Sequence, residues 1–169
     1  LLVVTPVKDS IFHAEQAIRS VMKNSNKEQW DYVVYDDFSS AETSLRLDQL
    51  SAELGFQVVH LCDVISTPSP NYRYVLQTIQ QKALYDDSHI VLVESDVVVN
   101  PNTFQRLLSA ASADVGLVAA VTIDDQGAVN FPYLFARKWK NKDVETKKRL
   151  SFCCTLLTNN FLKSYDFAA

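Results

Sequence analysis

Short apolar runs alternate with amphipathic stretches along the first 125 residues of the chain. Four of these runs are typical of buried strands, since they are short, apolar and bounded by turn-forming residues. They span residues 1–5, 32–35, 57–61 and 89–93. A fifth apolar run covers 115–123 and leads into the turn sequence Asp124-Asp125-Gln126-Gly127, after which residues 128–131 are expected to return as a hairpin.

Helical stripes fill the intervals between the runs. Asp9-Ser10 and Ser39-Ser40 predict N-caps for the first two helices, and Gly55 predicts the end of the second. Asn100-Pro101 predicts an N-cap followed by a proline in the first turn of a fourth helix. Strands that alternate with helices in this way predict an α/β fold with parallel strands and right-handed crossovers. The apolar faces are Ile11, Ala14, Ile18, Val21 and Met22; Leu47, Leu50 and Leu54; Val75, Leu76, Ile79 and Ala83; and Phe104, Leu107, Leu108 and Ala111.

The composition is that of one globular domain. The chain has 169 residues, 47% of them hydrophobic, and a net charge of −4. This charge gives no overall positive field to hold a polyanion, so nucleic acid is not expected as a partner. The longest apolar run is far shorter than the ~20 residues that a membrane span requires.

Three cysteines, Cys62, Cys153 and Cys154, form neither a metal-binding pattern nor an even set for disulfides. They favour a reducing, cytoplasmic location. Because the chain begins without Met and ends on Phe167-Ala168-Ala169 without a helix cap, we expect residues 1–169 to be a single domain truncated at its C-terminus.

Polar residues follow three of the predicted strands. Thr5 comes after the first, Asp36-Asp37 after the second and Glu94-Ser95-Asp96 after the fourth. In open α/β sheets ligands bind beyond the carboxyl ends of the strands, so these groups are expected at one sheet edge. Clustered carboxylates repel one another unless a cation or ligand donors relieve them, and their oxygens suit Mg²⁺ or Mn²⁺.

An ordinary acidic turn is the alternative for each of these sites, and it is the stronger interpretation for Asp36-Asp37 taken alone. The pair Glu94 and Asp96 is harder to explain as a turn. It interrupts an apolar stretch that resumes at residues 97–99, which opposes burial unless the acids serve a function.

Three motifs together resemble family 2 glycosyltransferases of the GT-A fold. The first is the opening sequence of residues 4–9, the second is Tyr35-Asp36-Asp37-Phe38-Ser39, and the third is residues 93–96, with Pro101 five residues after Asp96. The order and spacing agree with that family over residues 1 to about 125, and residues 154–161 resemble its later strand and helix start. The resemblance implies a GT-A, Rossmann-like three-layer sandwich with a mixed, mainly parallel sheet.

The resemblance also implies roles for individual residues. Thr5 and Asp37 would line the pocket of the nucleotide base, with the Asp37 carboxylate accepting the imide hydrogen of uracil. Asp36 is their neighbour, and Arg73 would approach the donor sugar or its phosphates.

The resemblance assigns metal binding to the acidic pair, Glu94 and Asp96. Asp96 would coordinate the Mn²⁺ or Mg²⁺ that bridges the donor diphosphate. Glu94 would face the ribose or the water shell of the metal, with Ser95 between them in the donor site. The catalytic base of the family would lie beyond residue 169.

The implied reaction transfers a sugar from a nucleotide-diphosphate donor, most simply a UDP-sugar, to a hydroxyl of a saccharide or lipid-linked acceptor. A metal held by carboxylates would neutralise the charge that develops on the leaving phosphate. The alternative is a nonenzymatic or inactive α/β domain that binds nucleotide or acts as a scaffold. Glycine-rich phosphate loops and nucleophile elbows are missing from the sequence, which argues against P-loop, dinucleotide-binding and hydrolase functions.

A basic stretch from Arg137 to Arg149 surrounds Trp139. It could meet the donor diphosphate, an anionic acceptor or the cytoplasmic face of a membrane, so peripheral membrane association is a further expectation. A solvated surface is the simpler interpretation. His13, His60 and His89 lack the spacing of metal ligands and are expected as caps, packed side chains or surface residues.

Overall fold

A six-stranded sheet forms the centre of the protein, whose computed structural model describes residues 1–24, 29–130, 133–139 and 142–168. Its strands are β1 Leu2–Val7, β2 Asp31–Asp36, β3 Gln57–His60, β4 Ile90–Val93, β5 Leu117–Ala119 and β6 Cys154–Leu157. They lie in the order β3-β2-β1-β4-β6-β5. β1 to β4 are parallel, and β6 is antiparallel to both β4 and β5. The predicted mixed, mainly parallel sheet is therefore confirmed.

Helices cover both faces of the sheet. One apolar core lies between the sheet and the first, second and fourth helices, and a second core lies between the sheet and the third and fifth. This arrangement is the expected three-layer α/β sandwich. The helices are α1 Ile11–Asn24, α2 Ala41–Leu54, α3 Tyr72–Tyr85, α4 Thr103–Ala110 and α5 Asn159–Ser164, with 3₁₀ turns at Leu61–Asp63 and Leu134–Trp139.

The predicted limits of α2 are confirmed. The Ser40 side chain accepts a hydrogen bond from the Thr43 amide at the start of the helix. Gly55 ends it with φ 78°, a left-handed conformation that glycine adopts without a steric penalty. Ser40 therefore fixes the end of the loop that joins β2 to α2, and Gly55 fixes the start of the turn that joins α2 to β3.

The predicted end of the first strand at Thr5 is wrong, because β1 continues through Pro6 to Val7. The Leu2 amide donates to His89 O on the β4 side, so the nitrogen of Pro6, four residues further on, faces the same side. There, β4 pairs with β1 only as far as Val4. Proline therefore removes no hydrogen bond from the sheet, and Thr5 lies within the strand.

Of two further predicted helix starts, that of α4 differs and that of α1 is confirmed. α4 begins at Thr103 rather than at Pro101, because Asn102 takes a left-handed conformation with φ 64°. At α1 the Ser10 carbonyl accepts from the His13 and Ala14 amides, as expected of an N-cap residue. The Asp9 carboxylate instead accepts from the Ser40 amide at 2.7 Å and so joins the β1–α1 loop to the start of α2.

The fifth apolar run forms a shorter strand than predicted. β5 spans Leu117–Ala119 and pairs with β6. The turn at Asp124 is present, with the Gly127 amide donating to Asp124 O, but the expected hairpin is reduced to one antiparallel bridge between Ile123 and Val129. Phe131, the predicted end of that hairpin, lies outside the described residues.

Candidate functional site

The acidic residues at the ends of β2 and β4 lie on one edge of the sheet. Asp36 is the last residue of β2 and is level with Val7 of β1. Glu94 directly follows β4 on the other side of β1. Two strand spacings separate β2 from β4, about 10 Å. The edge therefore carries two acidic groups, one on each side of β1.

Asp36 is a buried carboxylate with several protein donors. Its side chain is 1% exposed. It accepts hydrogen bonds from the Ser39 amide at 3.1 Å and from Ser44 Oγ at 2.5 Å, and it contacts His60 Nδ1 at 2.7 Å. Burial acts to raise the pKa of Asp36, but these hydrogen bonds outweigh burial and hold that pKa below its ordinary value. Asp36 is thus ionised and fixed by the protein itself.

His60, at the end of β3, bridges two carboxylates. Its Nδ1 contacts Asp36 and its Nε2 contacts Asp48 Oδ1 of α2 at 2.9 Å. Burial acts to lower the pKa of His60, but the hydrogen bonds with Asp48 and Asp36 outweigh it and raise the pKa. A protonated ring donates to both acids and links β3, β2 and α2.

Asp37 holds the segment that leads into α3. Its side chain is 8% exposed and accepts from Ser69 Oγ and the Asn71 amide, each at 2.9 Å, and from Asn71 Nδ2 at 2.7 Å. An ionised carboxylate offers about four acceptor positions. Three are taken by the protein, which leaves about one for a ligand donor.

Glu94 and Asp96 project from a tight turn at the end of β4. The Val97 amide donates to Glu94 O at 3.0 Å, which reverses the chain and leaves Asp96 exposed. Among the residues that the structure describes, no lysine, arginine or histidine forms an ion pair with either carboxylate. This half of the edge therefore differs from the Asp36 half, where protein groups satisfy the charge.

β6 brings Cys153 to the acidic pair. The Glu94 amide donates to Cys153 O at 2.9 Å, because β6 is antiparallel to β4 and starts where β4 ends. Burial raises the pKa of the Cys153 thiol, and the Glu94 and Asp96 carboxylates act in the same direction against a hydrogen bond with Ser151. Cys153 is therefore a neutral thiol beside two acids rather than a nucleophilic thiolate.

Tyr72, the first residue of α3, completes this surface. Its hydroxyl oxygen is buried and has no hydrogen-bond partner within the described part of the chain. Burial raises the pKa of Tyr72, and the charge of Glu94 raises it further. The hydroxyl is thus a neutral donor near Glu94.

Thr5 and Arg73 lie away from the acidic pair. Thr5 is fully buried, and its hydroxyl accepts from Tyr32 Oη at 2.9 Å inside the core between the sheet and α1. The Arg73 guanidinium donates to Phe167 O at 3.2 Å and to the carbonyl of Ala168, so it contacts the end of the described chain. The acids therefore share the sheet edge without these two side chains.

Sequence reasoning did not identify His60, Ser69, Asn71, Tyr72 or Cys153 as residues of this edge. His60 is itself the last residue of β3, so a rule that points to residues following a strand passes over it, and the third strand was predicted to continue to residue 61. Asn71 and Tyr72 precede the apolar stripe of α3, a pattern that is typical of an ordinary helix start. Cys153 reaches the edge only through the pairing of β6 with β4, which local sequence does not encode.

The donor set fits a hard divalent cation in part. Within the described ranges, no three His, Cys, Asp or Glu side chains converge to hold a metal ion. Magnesium in nucleotide sites is usually held by one or two carboxylates together with substrate phosphates and water. Glu94 and Asp96 supply carboxylate oxygens of that kind.

Membrane-spanning helices need to be long and apolar. None of the helices among the described residues has the length and the hydropathy that crossing a bilayer requires.

Known proteins resemble the chain at the level of a family and of a fold. The family model of glycosyl transferase family 2 matches residues 3–159. No curated protein matches the chain.

Three solved structures illustrate the fold. S. aureus TarS 1-349, in complex with UDP-GlcNAc, is 20% identical with TM-score 0.51, over 64% of this chain and 30% of that one. The mannosyltransferase PcManGT of Pyrobaculum calidifontis, in complex with GDP-Man and Mn²⁺, is 17% identical with TM-score 0.54, over 72% and 35%. The galactosyltransferase LgtC, with donor and acceptor sugar analogs, is 14% identical with TM-score 0.55, over 99% and 61%.

The chain spans about a third of the length of TarS 1-349 and of PcManGT, and less than two thirds of LgtC. At these identities the likeness concerns the fold, which agrees with the observed sheet. The family match extends from β1 to the start of α5. The chain therefore belongs to glycosyl transferase family 2 and has the GT-A fold.

Proposed function

We propose that residues 1–169 form a nucleotide-sugar-binding domain of a glycosyltransferase that uses a nucleotide-diphosphate sugar as donor. The observation that carries the proposal is the position of Glu94 and Asp96. They follow the fully buried strand β4 on the same sheet edge as Asp37, without an ion-pair partner among the described residues. In open α/β folds this edge is where ligands bind.

The acidic pair would hold Mn²⁺ or Mg²⁺ together with the donor diphosphate. Asp96 is the exposed member of the pair and would contact the metal, with Glu94 and Ser95 beside it. Bound there, a divalent cation would stabilise the negative charge of the leaving nucleoside diphosphate. Glu94, half-buried against Cys153, would keep its position when the metal binds, because the protein already orients it.

The base of the nucleotide would lie on the β2 side. The remaining acceptor position of Asp37 would take an N–H of the base, which favours a UDP-sugar, and Asp36 would hold the loop in place. Arg73, next to Tyr72 at the start of α3, would approach the phosphates after it releases the Phe167 and Ala168 carbonyls. We leave Thr5 out of the proposed donor site because its side chain has no exposed surface.

Isothermal titration calorimetry with UDP, in the presence and absence of Mn²⁺, tests the donor site. We expect Mn²⁺ to tighten UDP binding, and saturating ligand at about a hundredfold excess over Kd to stabilise the fold by ~2.7 kcal/mol. Asp96→Asn should remove the gain from Mn²⁺ while it leaves metal-free binding in place. Asp114→Asn is the matched control, since Asp114 is exposed before β5, at the opposite edge of the sheet.

Two results would contradict the proposal. One is the failure of UDP and GDP to bind with or without Mn²⁺. The other is an Asp96→Asn variant that keeps the full Mn²⁺ effect. GDP serves as the comparison nucleotide, and tighter binding of GDP than of UDP would contradict the assignment of Asp37 to a uracil.

A nonenzymatic nucleotide-binding domain is the second candidate. The observation that favours it is that the Asp36 and Asp37 carboxylates already accept hydrogen bonds from the protein, and Glu94 and Asp96 are assigned to the donor, so none of these four is left to activate an acceptor hydroxyl. Release of UDP from a UDP-sugar in the presence of a saccharide or lipid-linked acceptor separates the two candidates. We place that reaction in the cytoplasm, at the cytoplasmic face of the membrane where the acceptor is lipid-linked.

A further inference from the structure

A strongly basic surface lies on this acidic chain. We define the basic–aromatic segment as residues 133–139 and 142–149; Lys140, within the predicted basic stretch, lies outside the described residues. The segment carries six basic and two acidic side chains, a net charge of +4, whereas the whole chain carries −4, so the remaining residues carry −8. The six basic side chains are all exposed: Arg137, Lys138, Lys142, Lys147, Lys148 and Arg149.

Aromatic residues order this segment. Tyr133 is 2% exposed, and its hydroxyl donates to Ser151 O at 2.8 Å while it accepts from the Ser151 amide at 3.1 Å. The rings of Phe135 and Trp139 meet edge to face at 6.2 Å. Lys138 Nζ lies 4.5 Å from the Trp139 ring centroid, and a second lysine lies over Phe135. Two of the six cations therefore lie beside aromatic rings, and within the described part of the chain none of the six forms an ion pair with an acid.

Exposed apolar side chains accompany the cations. Leu134 is 43% exposed and Val144 is 41% exposed. A dissolved polyanion would contact only the cations and leave these apolar groups in water. An anionic bilayer offers phosphates to the lysines and arginines and an apolar boundary to Leu134, Val144 and Trp139.

We propose that the basic–aromatic segment docks the protein on the surface of an anionic lipid bilayer. The segment leads through Ser151 to Cys153, whose carbonyl accepts from the Glu94 amide. Docking through this segment places the sheet edge with the acidic pair near the bilayer. The charge and exposure of the segment favour this docking whether or not the acidic site binds a nucleotide.

Cosedimentation with lipid vesicles tests the docking surface. The protein should bind vesicles of phosphatidylcholine mixed with phosphatidylglycerol and lose that binding at high salt. It should not bind vesicles of pure phosphatidylcholine. Lys147→Gln/Lys148→Gln should weaken partitioning about thirty-fold. Lys23→Gln/Lys163→Gln removes the same charge from exposed positions outside the segment and should change partitioning little.

Tryptophan quenching by brominated lipids shows which surface meets the bilayer. Trp139 should be quenched on binding, and Trp139→Phe should remove the quenching, because the remaining Trp30 packs against Phe104 in the core. Equal binding to neutral vesicles, full binding by the Lys147/Lys148 variant, or an unquenched Trp139 overturns the proposal. So does binding of soluble polyphosphate without binding of vesicles. UDP titration of the same variant separates this outcome from a failure of the donor site, since the two lysines are outside that site.

Discussion

Removal of the His60 ring should destabilise the protein in a way that depends on pH. His60 joins Asp36 and Asp48, and its pKa is raised above the ordinary value of 6.5 by hydrogen bonds with these acids that outweigh burial. A raised folded-state pKa gives stability that is fully present below the unfolded pKa and is lost as pH rises through the folded pKa. The stability advantage of wild type over His60→Gln should therefore shrink from about pH 6 to about pH 8.5, a range that contains the ordinary histidine pKa.

The size of the effect follows from the exposure of the two acids. Asp36 is 1% exposed, so its charge-assisted bond with His60 is worth ~1.5–3 kcal/mol. Asp48 is 59% exposed, and such a pair contributes ~0–1 kcal/mol. We expect a loss of about 2 kcal/mol at pH 6, which corresponds to a Tm lower by roughly 4–8 °C for a chain of this length.

Urea unfolding followed by circular dichroism from acidic to alkaline pH measures this dependence, and His89 supplies a control of opposite sign. His89 Nδ1 accepts from the Asn159 amide at 2.9 Å, which requires an unprotonated nitrogen, and burial lowers the pKa of His89. A lowered histidine pKa gives stability that is lost as pH falls through the folded pKa. The advantage of wild type over His89→Gln should therefore grow as pH rises.

The reasoning about His60 is refuted if the advantage over His60→Gln stays constant or grows with pH. Asp48→Asn refines the test, because it removes only the exposed partner. It should cost less than His60→Gln at every pH. A larger loss for Asp48→Asn would show that the exposed pair, and not the buried one, carries the stability.

Four substitutions test other parts of the structure by urea unfolding. Tyr72→Phe should stabilise the ligand-free protein by about 1 kcal/mol, because it removes a buried hydroxyl without a described partner. Tyr133→Phe should destabilise the protein by a similar amount, because it removes a hydroxyl that is hydrogen-bonded. A loss of stability for Tyr72→Phe would contradict the placement of its hydroxyl. Gly55→Ala should cost about 1 kcal/mol, because alanine is strained at φ 78° although no atom blocks its Cβ, and an unchanged stability would contradict the left-handed cap. Thr5→Val should reduce the stability by about 1–3 kcal/mol, because it leaves the Tyr32 hydroxyl without its acceptor. The same variant should bind UDP unchanged in calorimetry, and weaker UDP binding would show that Thr5 contributes to the donor site.

The sequence predicts the helix-and-strand order well where one element is encoded by neighbouring residues. Ser40 and Gly55 fix both ends of α2 through local hydrogen bonds and backbone conformation, and the structure places both as predicted. The error at Pro6 has a non-local cause, because whether proline ends a strand depends on how far its neighbour pairs. That neighbour, β4, lies more than eighty residues away along the chain.

The acids at the sheet edge were predictable because parallel strands end together. Their partners were not. Asn71 reaches Asp37 through a loop whose path the sequence does not reveal, and His60 reaches Asp36 because the two residues are paired across β3 and β2. The order of residues along the chain can place a carboxylate at a sheet edge, but only the fold determines which donors form hydrogen bonds with it.

The two sides of the edge should therefore respond differently to a ligand. Asp36 and Asp37 receive donors from the protein, so their charge is satisfied before anything binds. Glu94 and Asp96 both act on the Cys153 thiol, whose pKa burial and these acids raise, and no basic side chain of the described residues pairs with them. A cation therefore supplies a missing positive charge on the β4 side alone. Stability gained from Mn²⁺ should consequently depend on Asp96 and not on the hydrogen bonds around Asp36.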